Sequence, residues 1–274
     1  MNIKLIAADL DGTLLTPEKT ITDESRRAIR KAQDAGVEFV LCTGRGLSEC
    51  LELLKWLPPL HYGVCCTGAY LADFNKKCAV AKNPLTADQA REVYHIVRNF
   101  DCLISYFADD TVYNSVQAVE RAKQFYPEKM LDLYLSAHVL KDDLDGFVDS
   151  YQGDVDKFYI AFHSKKERDL AYAQVRDLPY YITGAGFVDF EVMNPNADKG
   201  TGLAALAGRL GLAPEQVAAI GDSGNDIPML NFAGLAVVME NGDDETKSNA
   251  DLIAPSNAHD GVAWAIDRIL EGAF

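Results

Sequence analysis

The sequence predicts an α/β protein, a core built on a parallel sheet and interrupted by an inserted α+β segment. Three observations carry that expectation. Short apolar runs recur with amphipathic helical stretches between them, the alternation from which parallel sheets are built. The runs are nearly continuously apolar, as in strands buried on both faces. Between about Pro84 and Asp189 the texture shifts to hairpin signals and more Tyr and Phe, after which the first pattern resumes.

Taken in order, Ile3 to Ala8 reads as a buried strand, and Thr22 to Ala35 as a helix capped by Thr22 or Asp23 and closed by Gly36. Val37 to Cys42 is a second strand, Ser48 to Leu57 a helix stopped by Pro58 and Pro59, and Tyr62 to Cys66 a third strand. In the insertion, Thr86 caps a helix running to Asn99. Cys102 to Phe107 and Thr111 to Ser115 form a hairpin turned by Ala108-Asp109-Asp110. Val116 to Phe125 and Lys165 to Arg176 read as helices, Val155 to Phe162 and Phe187 to Val192 as strands. Beyond Asn194 come a helix (Thr201 to Leu210), a strand (Val217 to Ile220), a helix (Ile227 to Phe232), a strand (Leu235 to Met239), a short strand at Leu252-Ile253 and a last helix (Val262 to Leu270). The expected domains are 1–83 with 190–274, and 84–189.

Composition narrows the function. The 274 residues, 48% apolar and 24% charged, suffice for one large or two moderate domains. No apolar run approaches the ~20 residues that cross a bilayer, and the chain starts on a strand without a secretory pattern. A net charge of -15 disfavours nucleic acid and anionic membranes as partners. It also means that an anionic substrate needs a local source of positive charge, which a bound metal supplies. The six cysteines contain no C-x-x-C pair, and Cys42, Cys65 and Cys66 lie in apolar runs, as reduced thiols of a cytoplasmic protein do. No interface stripe separates itself from core, so the oligomeric state is open.

Polar residues cluster directly after three strands: Asp9-Leu10-Asp11-Gly12-Thr13, Thr43-Gly44-Arg45, and Gly221-Asp222-Ser223-Gly224-Asn225-Asp226. Ligands of open α/β sheets bind beyond the carboxyl ends of strands, so these segments are expected to converge. Asp9 and Asp11 are two apart, on one side of an extended chain, and with Asp222 and Asp226 they offer the oxygens that Mg²⁺ prefers. A calcium loop is the bland alternative, but a strand precedes these residues and Thr20 stands where the terminal glutamate would be. Thr43, Gly44 and Arg45 supply a hydroxyl, a backbone N–H and a guanidinium, all phosphate partners. Lys199 stands near a helix start, where the dipole disfavours a cation unless an anion accompanies it. Gly221-Asp222-Ser223-Gly224 also resembles the surroundings of a serine-protease nucleophile, but the α/β alternation and the lack of a matching histidine exclude that reading.

Together the clusters resemble the haloacid-dehalogenase superfamily, specifically its Cof-type branch with a large inserted cap. Asp9 through Leu15 resembles the nucleophile motif, Thr43-Gly44-Arg45 the second, Lys199-Gly200 the third, and Gly221 through Leu230 the fourth. Asn257, Asp260, Gly261 and Val262 are similar to the branch's C-terminal pattern. Three positions depart from it: Cys42 replaces a frequent Ala, Thr67-Gly68-Ala69 a frequent Asn-Gly-Ala, and Asn241-Gly242 a frequent Asn-Ala.

The resemblance implies a Rossmann-like core and a cap domain that covers the site and sets substrate choice. It implies a Mg²⁺-dependent phosphatase of small phosphorylated metabolites, sugar phosphates being the default and cofactor phosphates an option. Asp9 would be the nucleophile, forming an aspartyl-phosphate. Asp11 would be the acid/base, with its pKa raised by neighbouring carboxylates. Asp9, the Asp11 carbonyl and Asp222 would hold the metal, and Asp226 would orient its water. Thr43, Gly44, Lys199 and Asn225 would bind phosphate, with Arg45 on the substrate side. A phosphomutase on the same scaffold is the nearest alternative, and a non-catalytic phosphoryl-ligand-binding protein a more distant one.

Overall fold

The computed structural model describes residues 2–123, 138–184 and 188–273. These divide into two compact units, one made of Met1–Arg45, Leu53–Ala81 and Asp198–Phe274, the other of Gly46–Glu52 and Lys82–Ala197.

The first unit is organised by an eight-stranded sheet. Its strands are β1 (Leu5–Ala8), β2 (Glu38–Cys42), β3 (Tyr62–Cys65), β4 (Tyr70–Asp73), β5 (Cys78–Lys82), β12 (Val217–Gly221), β13 (Leu235–Met239) and β14 (Leu252–Ala254). They lie in the order β14-β13-β12-β1-β2-β3-β4-β5. From β14 to β3 every neighbouring pair is parallel, whereas β4 runs antiparallel to β3. The sheet is therefore mixed, with a parallel majority. The sequence reading did not contain β4 and β5; β4 follows the tight turn at Cys66–Gly68 too closely to stand out as a separate strand.

Helices cover both faces, as a largely parallel sheet demands. Leu5, Ala7, Val40, Cys42 and Val64 pack with Leu203, Leu206, Met229 and Leu230 from the helices Lys199–Arg209 and Ile227–Phe232. On the other face, helix Asp23–Asp34 packs beside β2 and against helix Gly261–Glu271, and Lys31 reaches Asp267 at 2.6 Å. Thr22 caps the first of these, its hydroxyl accepting the Ser25 N–H.

The second unit contains a six-stranded sheet of β6 (Cys102–Ala108), β7 (Thr111–Ser115), β8 (His138–Lys141), β9 (Val155–Phe162), β10 (Tyr181–Thr183) and β11 (Asp189–Met193), in the order β10-β11-β9-β6-β7-β8. The pairs are antiparallel except β7 with β8. The expected hairpin is present, and Asp109 and Asp110 both adopt left-handed backbone at its turn, the conformation that matches the twist of paired strands. Helices Ala87–Val97, Leu144–Ser150 and Lys165–Val175 pack on its apolar face around Tyr106, Phe158, Phe162 and Phe190. Because β11 belongs to this sheet, the unit extends past the Asp189 boundary read from the sequence and ends at Ala197. The helix expected over Val116 to Phe125 is observed over Val116–Ala122, and its last two residues lie outside the described residues, as does Phe187 at the start of an expected strand.

Candidate active site

β1 lies between β12 and β2. Sequence order reverses there, and such a switch point opens a crevice at the carboxyl ends of the strands. The residue after each of these three strands is Asp222, Asp9 and Thr43. Parallel register brings the polar clusters to one end of the sheet although about 180 residues separate the second from the third.

Asp9 is buried, and its backbone N–H donates to Ile220 O across the sheet at 2.9 Å. Its Oδ1 accepts from Lys199 Nζ at 2.7 Å. Lys199 is only 1% exposed, and its ammonium also donates to Asp226 Oδ1 at 2.6 Å and Asn225 Oδ1 at 3.3 Å. Local sequence explains how a lysine comes to lie there. Asp198 caps the helix by accepting the Thr201 N–H, which makes Lys199 its first residue. At Gly200 a Cβ would stand 2.4 Å from the Pro228 carbonyl oxygen. Only glycine lets the helix approach the Asp226 segment closely enough for the ammonium to reach it.

The Asp222–Asp226 loop is organised by Asp226 itself. Its Oδ2 accepts the backbone N–H of Asp222 at 2.9 Å and of Ser223 at 3.0 Å. Asn225 Oδ1 also accepts from the Ser223 hydroxyl. Asp222 Oδ1 accepts the Thr13 hydroxyl at 2.7 Å, a role for Thr13 that its place in the first cluster did not disclose. Gly12, with φ of +88°, lies so near Asp222 that a Cβ would stand 2.3 Å from Oδ2.

Oxygens of Asp9, Asp222 and Asp226 lie within 4.8 Å of one another. Burial pushes the Asp9 carboxyl up to about 8, with Lys199 opposing and Asp226 and Asp222 assisting. Burial likewise pushes Asp222 up to about 6. Burial alone would favour loss of the Lys199 proton, but Asp226 and Asp9 more than reverse this and raise its pKa. Three buried or half-buried carboxyl groups thus cluster around one ammonium that bonds only Asp9 and Asp226 of them, and the deficit of positive charge is what a divalent cation would correct. The residues fit Mg²⁺, an oxygen-seeking ion commonly held by one or two carboxylates together with substrate phosphate.

Asp11 departs from expectation. Its side chain is 41% exposed and stands outside the acidic cluster. Arg45 embraces it through Nε at 2.9 Å and Nη2 at 3.0 Å, and Lys19 Nζ reaches it at 2.8 Å. Desolvation pushes its carboxyl upward, yet Arg45 and Lys19 together hold it well below the usual carboxylate range. The expected rise toward neutrality is therefore corrected: cations, not carboxylates, surround it here. Arg45 is likewise placed on Asp11. Thr43 is buried, and its hydroxyl accepts the Arg45 N–H at 3.1 Å. Lys19 carried no signal in the sequence, since it belongs to no cluster and reaches Asp11 through a turn.

The sheet topology thus sets a lysine-bridged acidic centre, with the buried Asp9 carboxylate at its middle, at the end of the central strand β1 of an α/β fold. The chain belongs to the haloacid dehalogenase-like hydrolases, whose family model matches residues 6–266. It is 34% identical to the 5-amino-6-(5-phospho-D-ribitylamino)uracil phosphatase YcsE of Bacillus subtilis over 97% of this chain and 95% of that one. It is 26% identical to the pyridoxal phosphate phosphatase YbhA of Escherichia coli over 97% and 98%. A solved haloacid dehalogenase-like hydrolase of B. subtilis superposes with a TM-score of 0.86 at 24% identity, covering 97% of this chain and all of that one, 100%. That likeness shows the fold.

Proposed function

We propose that this protein is a Mg²⁺-dependent phosphatase that hydrolyses small phosphomonoesters through an aspartyl-phosphate on Asp9. The observation that carries the reading is Asp9 itself, a buried carboxylate at the end of β1, 2.7 Å from a buried lysine. Asp9 attacks phosphorus, forming a bond from a carboxylate oxygen as the bond to the leaving alcohol breaks. Asp11 gives that alcohol its proton, then takes one from the water that attacks the phosphoenzyme, which releases inorganic phosphate and restores Asp9. To carry a proton Asp11 must first exchange its contacts with Arg45 and Lys19 for the leaving oxygen. That exchange leaves Arg45 free to face the substrate. Lys199, the Thr43 hydroxyl, the Gly44 N–H and Asn225 hold the non-reacting oxygens, as positioning and charge stabilisation are most of what phosphoryl transfer asks of a protein. Asp9, Asp222 and the Asp11 carbonyl would hold Mg²⁺, with Asp226 placing its water. The ion would neutralise the charge of the transferring phosphoryl group.

The two relatives named above act on a ribityl phosphate and on pyridoxal phosphate. Both are esters of a primary alcohol, so the substrate class proposed is an unhindered primary phosphomonoester, sugar and polyol phosphates included. The test is phosphate release from such a panel with Mg²⁺ and with EDTA, beside Asp9→Asn. Metal-dependent release that the substitution abolishes while the fold persists is expected. Wild-type turnover by Asp9→Asn removes the nucleophile assignment, and an isomerised sugar phosphate in place of inorganic phosphate makes the enzyme a phosphomutase.

A further inference from the structure

The turn after the nucleophile is held from outside by two asparagines that belong to neither the acidic cluster nor the phosphate-binding groups. Asn241, beyond the end of β13, donates from Nδ2 to the Gly12 carbonyl at 2.8 Å. Its Oδ1 accepts the Asn257 backbone N–H at 3.0 Å. Asn257 in turn donates from its own Nδ2 to the Leu15 carbonyl at 2.8 Å. The result is a bridge from two C-terminal loops to both ends of the segment Gly12–Leu15. We propose that Asn241, seated by Asn257, is a positioning residue that locks the Gly12–Thr13 peptide and so presents the Thr13 hydroxyl to Asp222. The proposal rests on the reading of the site given above.

The argument starts from Gly12. With φ of +88° and no side chain, its flanking peptides can rotate with little steric resistance. Inside the turn, the N–H of that same Gly12–Thr13 peptide donates to the Leu10 carbonyl at 3.3 Å, the Leu15 N–H binds the Leu10 carbonyl and the Leu14 N–H the Asp9 carbonyl. The Asn241 amide therefore holds the carbonyl side of a peptide whose N–H side is held at 3.3 Å, at the one residue of this turn with left-handed glycine backbone. A flip there would swing Thr13, whose hydroxyl is 2.7 Å from Asp222 Oδ1. The next residue shows how closely this loop abuts the site. A Cβ on Gly242 would stand 2.8 Å from the Asp222 carbonyl oxygen and 3.0 Å from that of Met239. The Asn-Gly pair, which departs from the branch's frequent Asn-Ala, thus presses on Asp222 from behind while Asn241 reaches past it to Gly12.

Asn241 is exposed, so its replacement leaves the core untouched. Partners that orient metal-binding carboxylates typically change metal affinity or activity about 10–100-fold when removed. The test compares Asn241→Ala and Asn241→Asp with wild type. Asn241→Asp keeps the size and the acceptor for Asn257 but loses the donor to Gly12. Three readouts are taken: Mg²⁺ titration by the shift of the unfolding transition without substrate, steady-state kcat and KM, and the unfolding transition in EDTA. Both variants are expected to need roughly tenfold more Mg²⁺ for half their shift. Both should lose kcat by a similar factor, keep KM within about twofold, and unfold near wild type in EDTA. Wild-type Mg²⁺ response in Asn241→Asp, with loss only in Asn241→Ala, would overturn the proposal and leave a tether to Asn257. Unchanged behaviour in both would overturn it altogether. Absence of Mg²⁺-dependent phosphatase activity in the wild type would instead refute the underlying reading, and the substrate-free titration tells the two failures apart.

Discussion

Replacing Lys199 by methionine isolates the electrostatics of the centre, because the unbranched chain is kept as far as Cε and only the ammonium is lost. The ammonium donates to Asp9 at 2.7 Å and Asp226 at 2.6 Å, in a place 1% exposed. Removing one partner of a buried ion pair costs about 3–5 kcal/mol, because the remaining charge has no compensation. Two carboxyl groups would lose their partner here, so the upper part of that range is the ceiling expected above pH 8. The sign of the pH dependence follows from Asp9. Its folded pKa is already about 8 against an ordinary 3.8, and Lys199 is the neighbour that lowers it. In the variant it rises further. The folded state then holds protons that the unfolded chain releases above pH ~4, and stability declines as pH increases. The wild type shares that decline up to its own pKa of about 8, so the Asp9 part of the deficit should stay level from pH 5 to about 7 and grow above pH 8, where only the wild type releases the proton. The deficit should shrink when Mg²⁺ is added in place of the missing charge. Urea unfolding of both proteins at pH 5, 6.5, 8 and 9.5, with EDTA or Mg²⁺, measures this directly. A deficit no larger at pH 9.5 than at pH 6.5, or one below about 1 kcal/mol at pH 9.5, would refute the picture of stranded carboxylates.

Three further outcomes are expected. Asp9 and Asp222, held up to about 8 and about 6, must lose their protons to bind a cation. The Mg²⁺ concentration for half-maximal thermal shift should fall steadily from pH 5 to pH 8, and a flat profile would remove these carboxylates from the metal site. In the second unit, burial pushes Asp156 to about 6 despite Lys82. The folded state thus favours the proton between pH 3.8 and 6, and ionisation above that window costs up to about 3 kcal/mol. Asp156→Asn should accordingly gain stability relative to wild type as pH rises from 4 to 8, and a loss at pH 8 compared with pH 4, in paired denaturant titrations, contradicts this. Gly12→Ala places a methyl 2.3 Å from Asp222 Oδ2 on left-handed backbone, at a strain of about 1 kcal/mol or more. It should abolish the Mg²⁺-induced shift while circular dichroism remains that of the wild type, and a wild-type shift would mean that Asp222 moves aside freely.

Much of this protein is determined by the sequence alone, for reasons that are local. Continuous apolar runs specify strands buried on both faces, and Thr22 and Asp198 supply helix caps within three residues of the N–H groups they satisfy. Placement of Asp9, Thr43 and Asp222 directly after such runs puts them at strand ends, wherever the strands lie. Only the tertiary structure decides which strands are neighbours. The order β12-β1-β2 turns three distant clusters into one crevice, and it depends on long-range pairing that no local propensity encodes. The same holds for charge. The sequence places Asp11 beside Asp9 and so suggests a carboxylate among carboxylates, but its side chain meets Arg45 and Lys19 instead. Asn241 and Asn257 stand out in the sequence only by their likeness to the branch's pattern, and folding alone brings them to the Gly12 and Leu15 carbonyls, 229 and 242 positions away in sequence. Hydrogen bonds and pKa values are set by distances of a few ångströms, which chain separation leaves open and packing settles.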